Sequence, residues 1–520
     1  MCGIFASINS NSLQDTYTGL SRLEYRGYDS FGYASLNNGE VTVVKQLGSV
    51  DESAFHGECE TAIGHVRWAT NGEVTEENAH PQAAGEYYVV HNGVVENAPA
   101  NMLDTKWIAR LLKEQGVVPT WEEIKGDNAF VFLNSDTQEV WCVAKGSKRL
   151  FVTPNGYVSS DLNALSGFCK SAWILENSCC TLQRDKLPYG SDAIHVPPRY
   201  KTNPSSGHKM LIEIEEQSSM ESNQWPVIED DIDIIATGSS LHAAMFGAYA
   251  LEKKKGIKAR CLHASQAKYR SLGKNLLAIS QSGETKDVIN ALKGSGNFKC
   301  ITNNPYSTLY DMSSSPINMY AGPEEAVAAT KTFTMSCIKL CQSAGISMLG
   351  MEPYIQDVLE RSEEIKSIAE RIMGYEHFLF LGDRHNYPVA LEGALKFKEV
   401  SYVHAEGMPS SEMKHGPIAL VDHRVPSLVV MTEGFAKETL SNIREIKSRR
   451  GFIVVISHEA VQKDLLLDGV DLSFFCKNTG EPYSQSLVIN IVLQLLSYYI
   501  AVGRGINPDR PRNLAKCVTV

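Results

Sequence analysis

Asp233-Ile234-Ile235-Ala236-Thr237-Gly238-Ser239-Ser240 reads as a buried strand running into a glycine turn and the start of a helix that extends to Lys255. About 145 residues further on the shape recurs, with an apolar strand at 376–383 and a helical stretch to Glu399. A second pair of junctions matches in the same way: residues 275–280 with the turn Gln281-Ser282-Gly283-Glu284-Thr285, and residues 427–432 with the turn Glu433-Gly434. Strand, turn and helix in alternation predict two copies of a doubly wound α/β unit, each a parallel sheet flanked by helices.

Junctions of this kind put backbone N–H groups and hydroxyls at a helix start, where the helix dipole favours an anion. In Ser280-Gln281-Ser282-Gly283-Glu284-Thr285, three hydroxyls, an amide and a glycine form a neutral cradle for a phosphate monoester. Plain helix capping is the commoner use of such residues. In the second copy, Glu392, Lys396 and Glu399 follow at spacings of four and three and share one helix face. Alone, that pattern is a solvated salt-bridge ladder. It gains meaning beside Ser411-Glu412-Met413-Lys414-His415-Gly416-Pro417 and the terminal run Arg512-Asn513-Leu514-Ala515-Lys516, which add an imidazole and an amine.

The amino-terminal part has a different texture. After Met1-Cys2-Gly3-Ile4-Phe5 and a helical stretch at 14–25, strand-like pieces fall at 31–36, 41–46, 62–66, 87–91, 129–134, 140–144 and 156–159. They predict a strand-rich α+β domain with two packed sheets. Cys2 is chemically special within it. Once Met1 is removed, one carbon carries both a thiol and a free α-amine, and an amine of pKa ~8 can take the thiol's proton near neutral pH.

Five motifs occur here in order: Cys2-Gly3-Ile4, Tyr25-Arg26-Gly27-Tyr28-Asp29-Ser30, Arg67-Trp68-Ala69-Thr70, Asn78-Ala79-His80-Pro81 and His91-Asn92-Gly93. Together they resemble the glutaminase domain of the N-terminal-nucleophile (Ntn) amidotransferases, an αββα sandwich, and most closely the glutamine–fructose-6-phosphate aminotransferase family. The Ser280 turn is similar to the sugar-phosphate turn of sugar isomerase (SIS) domains. The clusters around Glu392, His415 and Lys516 match the isomerase half of the same aminotransferase family.

The resemblance implies roles for these residues. Cys2 attacks glutamine, and Asn92 with the Gly93 N–H forms an oxyanion hole whose donors are worth about 3 kcal/mol each. Arg67 grips the α-carboxylate and Asp104 the α-ammonium, with Trp68, Thr70 and His80 also in the glutamine site. Ser240, Ser280, Gln281, Ser282 and Thr285 hold the sugar phosphate. His415 opens the sugar ring, Lys516 forms a Schiff base, and Glu399 moves a proton between C1 and C2 with Glu392 and Lys396 in support. Trp68 gates an ammonia channel, with Arg26 and the tail around Arg512 as its partners. The implied substrates are glutamine and fructose 6-phosphate, and the scheme calls for no metal or organic cofactor. Members place the histidine of one subunit in the neighbour's site, so a homodimer is expected. Three departures stand out: Asn71 replaces the family's usual histidine, Ala329 replaces a sugar-contacting serine, and the chain between Asn97 and Asp104 is short.

Composition sets the frame for these expectations. A chain of 520 residues accommodates about three domains. We expect the glutaminase at 2–204, a linker at 205–225 after a proline-bearing stretch, SIS domains at 226–362 and 363–505, and a catalytic tail at 506–520. A net charge of -11 argues against a nonspecific nucleic-acid binder. The apolar run 487–502 is broken by Asn490, Gln494 and Ser497 and is too short and polar to span a bilayer. Twelve cysteines without a repeated CxxC pair point to reduced thiols, and no charged-then-apolar leader precedes Cys2, so a cytoplasmic location is expected. Two other readings share the fold. One is a glutaminase joined to SIS units acting on another phosphosugar, kept open by Asn71, Ala329 and the short loop. The other is a sugar-phosphate-sensing non-enzyme, which predicts loss of Cys2, Glu399 or Lys516, and all three are present.

Overall fold

The computed structural model describes residues 2–69, 72–183, 193–196, 207–432, 436–462 and 469–518. They fall into two compact units, one of Met1–Lys201 with Ala515–Val520 and the other of Thr202–Leu514.

The first unit is built on strand alternation. Its larger sheet is antiparallel, in the order Ile194–His195, Ser171–Leu175, Leu150–Val152, Tyr157–Ser159, Gly3–Ser7, Thr61–Arg67, Ser30–Asn37, Glu40–Leu47. The second runs Ser178–Thr181, Glu139–Lys145, Asn128–Asn134, Tyr87–Gly93, Gln82–Ala84. Ile4, Ala6 and Ile63 of the first sheet share a core with Val90, Val131 and Leu133 of the second. Phe5 points the opposite way, onto the helix Ser12–Leu23, where a Cβ on Gly19 would come within 2.2 Å of its ring. On the far side, Val89, Phe130 and Phe132 pack with Ile108 and Leu112 of the helix Asp104–Gln115. The layers are therefore helix, sheet, sheet, helix. Each large apolar side chain so buried is worth about 1.5–3 kcal/mol. Every strand expected from alternation overlaps an observed one, and all but 156–159, which begins one residue before Tyr157–Ser159, lie within it. Those not anticipated include Gln82–Ala84, Leu150–Val152 and Ile194–His195, too short to show a period.

The second unit holds two parallel sheets of identical order. The first runs Ala259–His263, Ile232–Ala236, Leu276–Ser280, Lys299–Thr302, Ser315–Asn318. The other runs His404–Met408, His377–Gly382, Ser427–Val430, Ile453–His458, Leu472–Cys476. In each, the chain-first strand sits second, so the strand order reverses beside it and the loops at its carboxyl end diverge into a crevice. One core serves both sheets: Ile234 and Ile279 of the first and Phe380 and Val454 of the second cluster with Leu493 and Leu496 of the helix Pro482–Gly503. That helix has a membrane-like composition, and 83% of its most apolar window is buried inside the unit.

The stretch 205–225, expected as a linker, carries the helix Lys209–Glu215, whose Met210 and Ile214 are fully buried in this same core. Asp509 accepts the Lys209 and Met210 N–H groups at 2.9 and 2.8 Å, and Gln217 donates to Gln494 at 2.7 Å. The last residues, expected as one tail, are divided: those through Leu514 belong to the second unit, and Ala515–Val520 group with the first.

Candidate active sites

Cys2 stands at the head of the strand Gly3–Ser7, with Gly3 in register with Val66. The Trp68 N–H points at its Sγ from 3.4 Å, and the same sulfur lies 3.5 Å from the Trp68 carbonyl. The Cys2 carbonyl accepts from Asn92 Nδ2 at 3.0 Å and Arg26 Nε at 3.1 Å. Arg26 is itself anchored on Asp161 at 2.9 Å, and the Tyr25 hydroxyl donates to the same carboxylate. The backbone at the thiol is thereby pinned.

Asn92 is held from behind. His65 Nε2 lies 3.2 Å from Asn92 Oδ1 and 2.9 Å from the His91 carbonyl, so it faces two acceptors and donates. Burial pushes the His65 pKa down to about 3, which keeps the ring neutral. The amide is therefore oriented with its oxygen on His65 and its NH2 toward Cys2. Gly93 follows at φ 142°, and a Cβ there would sit 2.4 Å from the Asp127 carbonyl, so no larger residue fits.

His91 Nε2 bonds Asn128 Oδ1 at 2.9 Å, and its Nδ1 lies 3.3 Å from Thr105 Oγ1, which also meets His80 Nε2 at 2.5 Å. The His65 and His80 rings are 4.0 Å apart. Burial, and then the neighbouring His65, His91 and Arg67, hold His80 well below its ordinary pKa. Its side chain, expected at the glutamine, thus lies within a buried stack of neutral histidines.

Arg67 ends the strand Thr61–Arg67, only 3% exposed, and donates to the Glu73 carbonyl at 3.2 Å. Burial lowers its pKa, with Cys2 and Asp29 acting in opposition. Arg67 Nη2 and a Leu103 methyl lie 3.8 and 2.9 Å from where a Cβ on Gly72 would stand, which puts the guanidinium on the side where the helix Asp104–Gln115 begins. Asp104 accepts the Val95 N–H at 2.9 Å. Half-buried Trp68 meets Tyr28 edge to face at 6.0 Å. Thr70 and Asn71 lie outside the described residues.

The second unit holds a different kind of site. Ser280 Oγ lies 3.0 Å from Thr285 Oγ1 and accepts the Gly283 N–H at 3.1 Å, while Ser282 Oγ accepts the Glu284 N–H at 3.1 Å. Gly283 has φ 67°, and a Cβ there would fall 1.9 Å from Ser307 Oγ. The one acid of the turn, Glu284, faces elsewhere: it accepts the Thr308 N–H and hydroxyl at 2.7 and 2.9 Å. The remaining turn is neutral and rich in donors, as a phosphate requires. Ser240 sits half-buried in the first turn of the helix Gly238–Lys255, after the neighbouring strand. The equivalent crevice of the second sheet is unlike it, because Asp383 occupies that position and accepts from Ser410 N at 2.9 Å and Thr439 Oγ1 at 3.2 Å.

The helix Asn386–Ser401 brings Glu392, Lys396 and Glu399 together. Lys396 Nζ lies 2.5 Å from Glu399 Oε2 and 3.3 Å from Glu392 Oε1. Glu392 is completely buried and also accepts from Ser239 Oγ and His242 Nδ1, each at 2.8 Å. Burial pushes the Glu392 carboxyl up, but Lys396, His242 and Ser239 outweigh it and leave its pKa below the ordinary value. Burial likewise opposes the charge on Lys396, and the two carboxylates more than restore it. His415 is exposed in the turn Glu412–His415. Arg512 donates its backbone N–H to the Tyr402 hydroxyl at 2.5 Å and lays its guanidinium 4.4 Å over that ring. Lys516 is half-buried and groups with the first unit.

Comparison with known proteins places these sites in context. The SIS domain model matches residues 229–344 and 372–503. The glutamine–fructose-6-phosphate aminotransferase (isomerising) of Aquifex aeolicus is 33% identical over 594 aligned positions, covering 100% of both chains. Its counterpart in Pyrococcus horikoshii is 32% identical, again with 100% of each covered. The chain belongs to the glutamine–fructose-6-phosphate aminotransferase family. Among solved structures, the C-terminal domain of the glucosamine-fructose-6-phosphate aminotransferase from Francisella tularensis matches with a TM-score of 0.56 and 31% identity, covering 60% of this chain and 100% of that one. A glucosamine-6-phosphate deaminase from Thermotoga maritima matches at 0.50 and 25%, covering 60% and 99%.

Within this aminotransferase-family chain, the described structure gathers the expected residues into three groups. Cys2, Arg26, Trp68, Asn92 and Gly93 form the first, and Ser280, Ser282 and Thr285 the second. Glu392, Lys396 and Glu399 form the third. Sequence reasoning missed the residues that orient them. His65 could have been suspected, since it opens the run His65-Val66-Arg67-Trp68 on the strand leading to the motif. Ser239 and His242 share a helix face at a spacing of three, but no local signal says what they face.

Proposed function

We infer that this protein hydrolyses glutamine at Cys2, passes the ammonia to fructose 6-phosphate and isomerises the product to glucosamine 6-phosphate. One observation carries the reading: a single chain holds a pinned cysteine beside an oriented asparagine and, in its second unit, a neutral hydroxyl turn together with a lysine-held carboxylate.

In the glutaminase unit, read as an Ntn-hydrolase domain, the Cys2 thiolate adds to the glutamine carboxamide carbon. Asn92 offers its second Nδ2–H, and Gly93 its backbone N–H, to the resulting oxyanion. Arg67 and Asp104 hold the α-carboxylate and α-ammonium. Collapse releases ammonia, and water then cleaves the thioester to glutamate. In the isomerase unit, Ser240, Ser280, Gln281, Ser282 and Thr285 bind the phosphate, and His415 assists ring opening. Lys516, assigned from its family motif and grouped here with the first unit, forms an imine at C2, ammonia displaces it, and the Glu399 carboxylate takes the C1 proton for return at C2, which leaves the aldose.

His415 is exposed on its own unit, which supports a homodimer in which this imidazole completes the neighbour's sugar site. Trp68, beside Cys2 and packed on Tyr28, is the proposed gate for ammonia. Twelve free thiols fit a reducing, cytoplasmic setting. The test is to count glutamate and glucosamine 6-phosphate in one reaction after confirming removal of Met1. Equal yields are expected. Glutamate without aminosugar would overturn the assignment.

A further inference from the structure

We propose that His242 is a positioning residue for the isomerase step, acting through Glu392 and Lys396 to hold Glu399 where it can move the substrate proton. The inference rests on the function proposed above and adds a residue outside the reacting groups.

Lys396 lies between two carboxylates, 2.5 Å from Glu399 and 3.3 Å from Glu392. The nearer contact goes to the partner that is not fully buried, Glu399, whose side chain is 21% exposed, against 0% for Glu392. Desolvation alone would favour the reverse, since a fully buried carboxylate has the greater need of a cation. The difference is explained by what else Glu392 receives. Ser239 Oγ donates to Oε1 and His242 Nδ1 to Oε2, both at 2.8 Å. Each of its oxygens has a close donor without Lys396, so the ammonium is left to fix Glu399.

Ser239 and His242 lie one turn apart on the helix Gly238–Lys255 of the first α/β copy, whereas Glu392, Lys396 and Glu399 lie on the helix Asn386–Ser401 of the second. The phosphate turn belongs to the first copy, as His242 does. The chain of contacts therefore ties the base on one copy to the copy that holds the substrate. If the His242 N–H is removed, Glu392 Oε2 becomes a buried charged acceptor without a donor. Drawing Lys396 toward Glu392 relieves that deficit and frees Glu399 from its anchor.

The test uses the full-length protein with Met1 removed and compares His242→Ala with His242→Asn, whose amide nitrogen can stand where Nδ1 stands. Turnover is measured with fructose 6-phosphate and with its [1,1-2H2] form at saturating glutamine. For His242→Ala we expect kcat for aminosugar to fall about 10- to 100-fold, with KM for the sugar phosphate changed by less than about 3-fold and glutamate release persisting. The isotope effect on kcat should rise as C1–H cleavage becomes limiting. His242→Asn should recover most of the loss. A purely structural role would lower the active fraction and leave the isotope effect unchanged, and that result, or wild-type turnover in His242→Ala, overturns the proposal. If His242→Ala does not fold, an Asn variant with a raised isotope effect supports it, and one that is impaired with an unchanged isotope effect overturns it. Absence of aminosugar from the unsubstituted protein would instead overturn the assigned function, and this inference with it.

Discussion

The two sites solve one problem by opposite electrostatic means. Each fixes a side chain that we propose acts on a substrate: Asn92 in the first unit and Glu399 in the second. Asn92 is held by a neutral, buried histidine, with the His80 ring packed on it and His91 joined to His80 through Thr105. Glu399 is held by a buried ammonium shared with a second carboxylate. The difference follows from what each group delivers. An oxyanion hole needs an N–H pointing one way, and a neutral donor on the amide oxygen sets that direction without adding a charge. A carboxylate that is to act as a base must be fixed in place, and here a cation fixes it.

Substitutions can break or sharpen this contrast. The largest effect is expected for Glu399→Gln, which should lower aminosugar formation at least ~1000-fold while glutamate release continues. Parallel loss of both products would show that the two chemistries are not separable. Lys396→Met leaves two carboxylates without their cation, one fully buried, and should cost about 3–5 kcal/mol in urea unfolding of the second unit. Asn92→Ala should slow glutamine turnover about 100- to 1000-fold and leave sugar-phosphate binding intact by calorimetry.

Acid should distinguish the two designs. Between the ordinary histidine pKa of 6.5 and about 3, the unfolded chain binds a proton at His65 that the folded chain does not. Stability of the first unit should therefore fall as pH drops below 6.5, by up to ~1.4 kcal/mol per pH unit for each histidine kept neutral. The Glu392 carboxyl is depressed, so its contribution is complete above the usual carboxylate range and is lost only as pH falls through and below it. The second unit holds one described histidine lowered in the same way, His385, pushed down to about 4 by burial, against His65, His80 and His91 in the first, so limited proteolysis at pH 7.5 and 5.5 should show the first unit loosening before the second. The smallest effect is expected for Ala329→Ser, which restores a hydroxyl in the loop before the helix Lys331–Ser343. It should lower KM for fructose 6-phosphate by about 2- to 10-fold.

What the sequence made legible was local. Cys2, His91-Asn92-Gly93, the Ser280 turn and the Glu392, Lys396, Glu399 face are each carried by a few adjacent residues or one helical period, and the duplicated α/β pattern by strand and turn chemistry. What it hid depends on partners far along the chain. His65 meets Asn92 through the packing of two sheets, and His242 meets Glu392 across two helices about 150 residues apart. Charge balance was hidden for the same reason. Glu284 and Asp383 are both acids at a strand-end turn, yet one turns aside to Thr308 and the other fills its own crevice. The stretch 208–217 resembles the family's interdomain helix in sequence, but the burial that makes Lys209–Glu215 part of the second unit's core was hidden.

The helix Pro482–Gly503 bears on the order in which the protein is made. Both parallel sheets are complete in the chain by Cys476, but the core they share is closed by residues synthesised afterwards. The first sheet can pack early against Phe246 and Phe333, but the shared core is completed only when Leu493 and Leu496 have been made. Until then the apolar residues that face that helix, Val454 of the second sheet among them, are incompletely covered, a surface of the kind that associates wrongly or recruits chaperones. A stop codon just before Pro482 would therefore strip that helix from the core the two copies share, and leave each with the separate cluster on its other face, around Ala278 and Leu292 in the first and Val455 and Ile443 in the second.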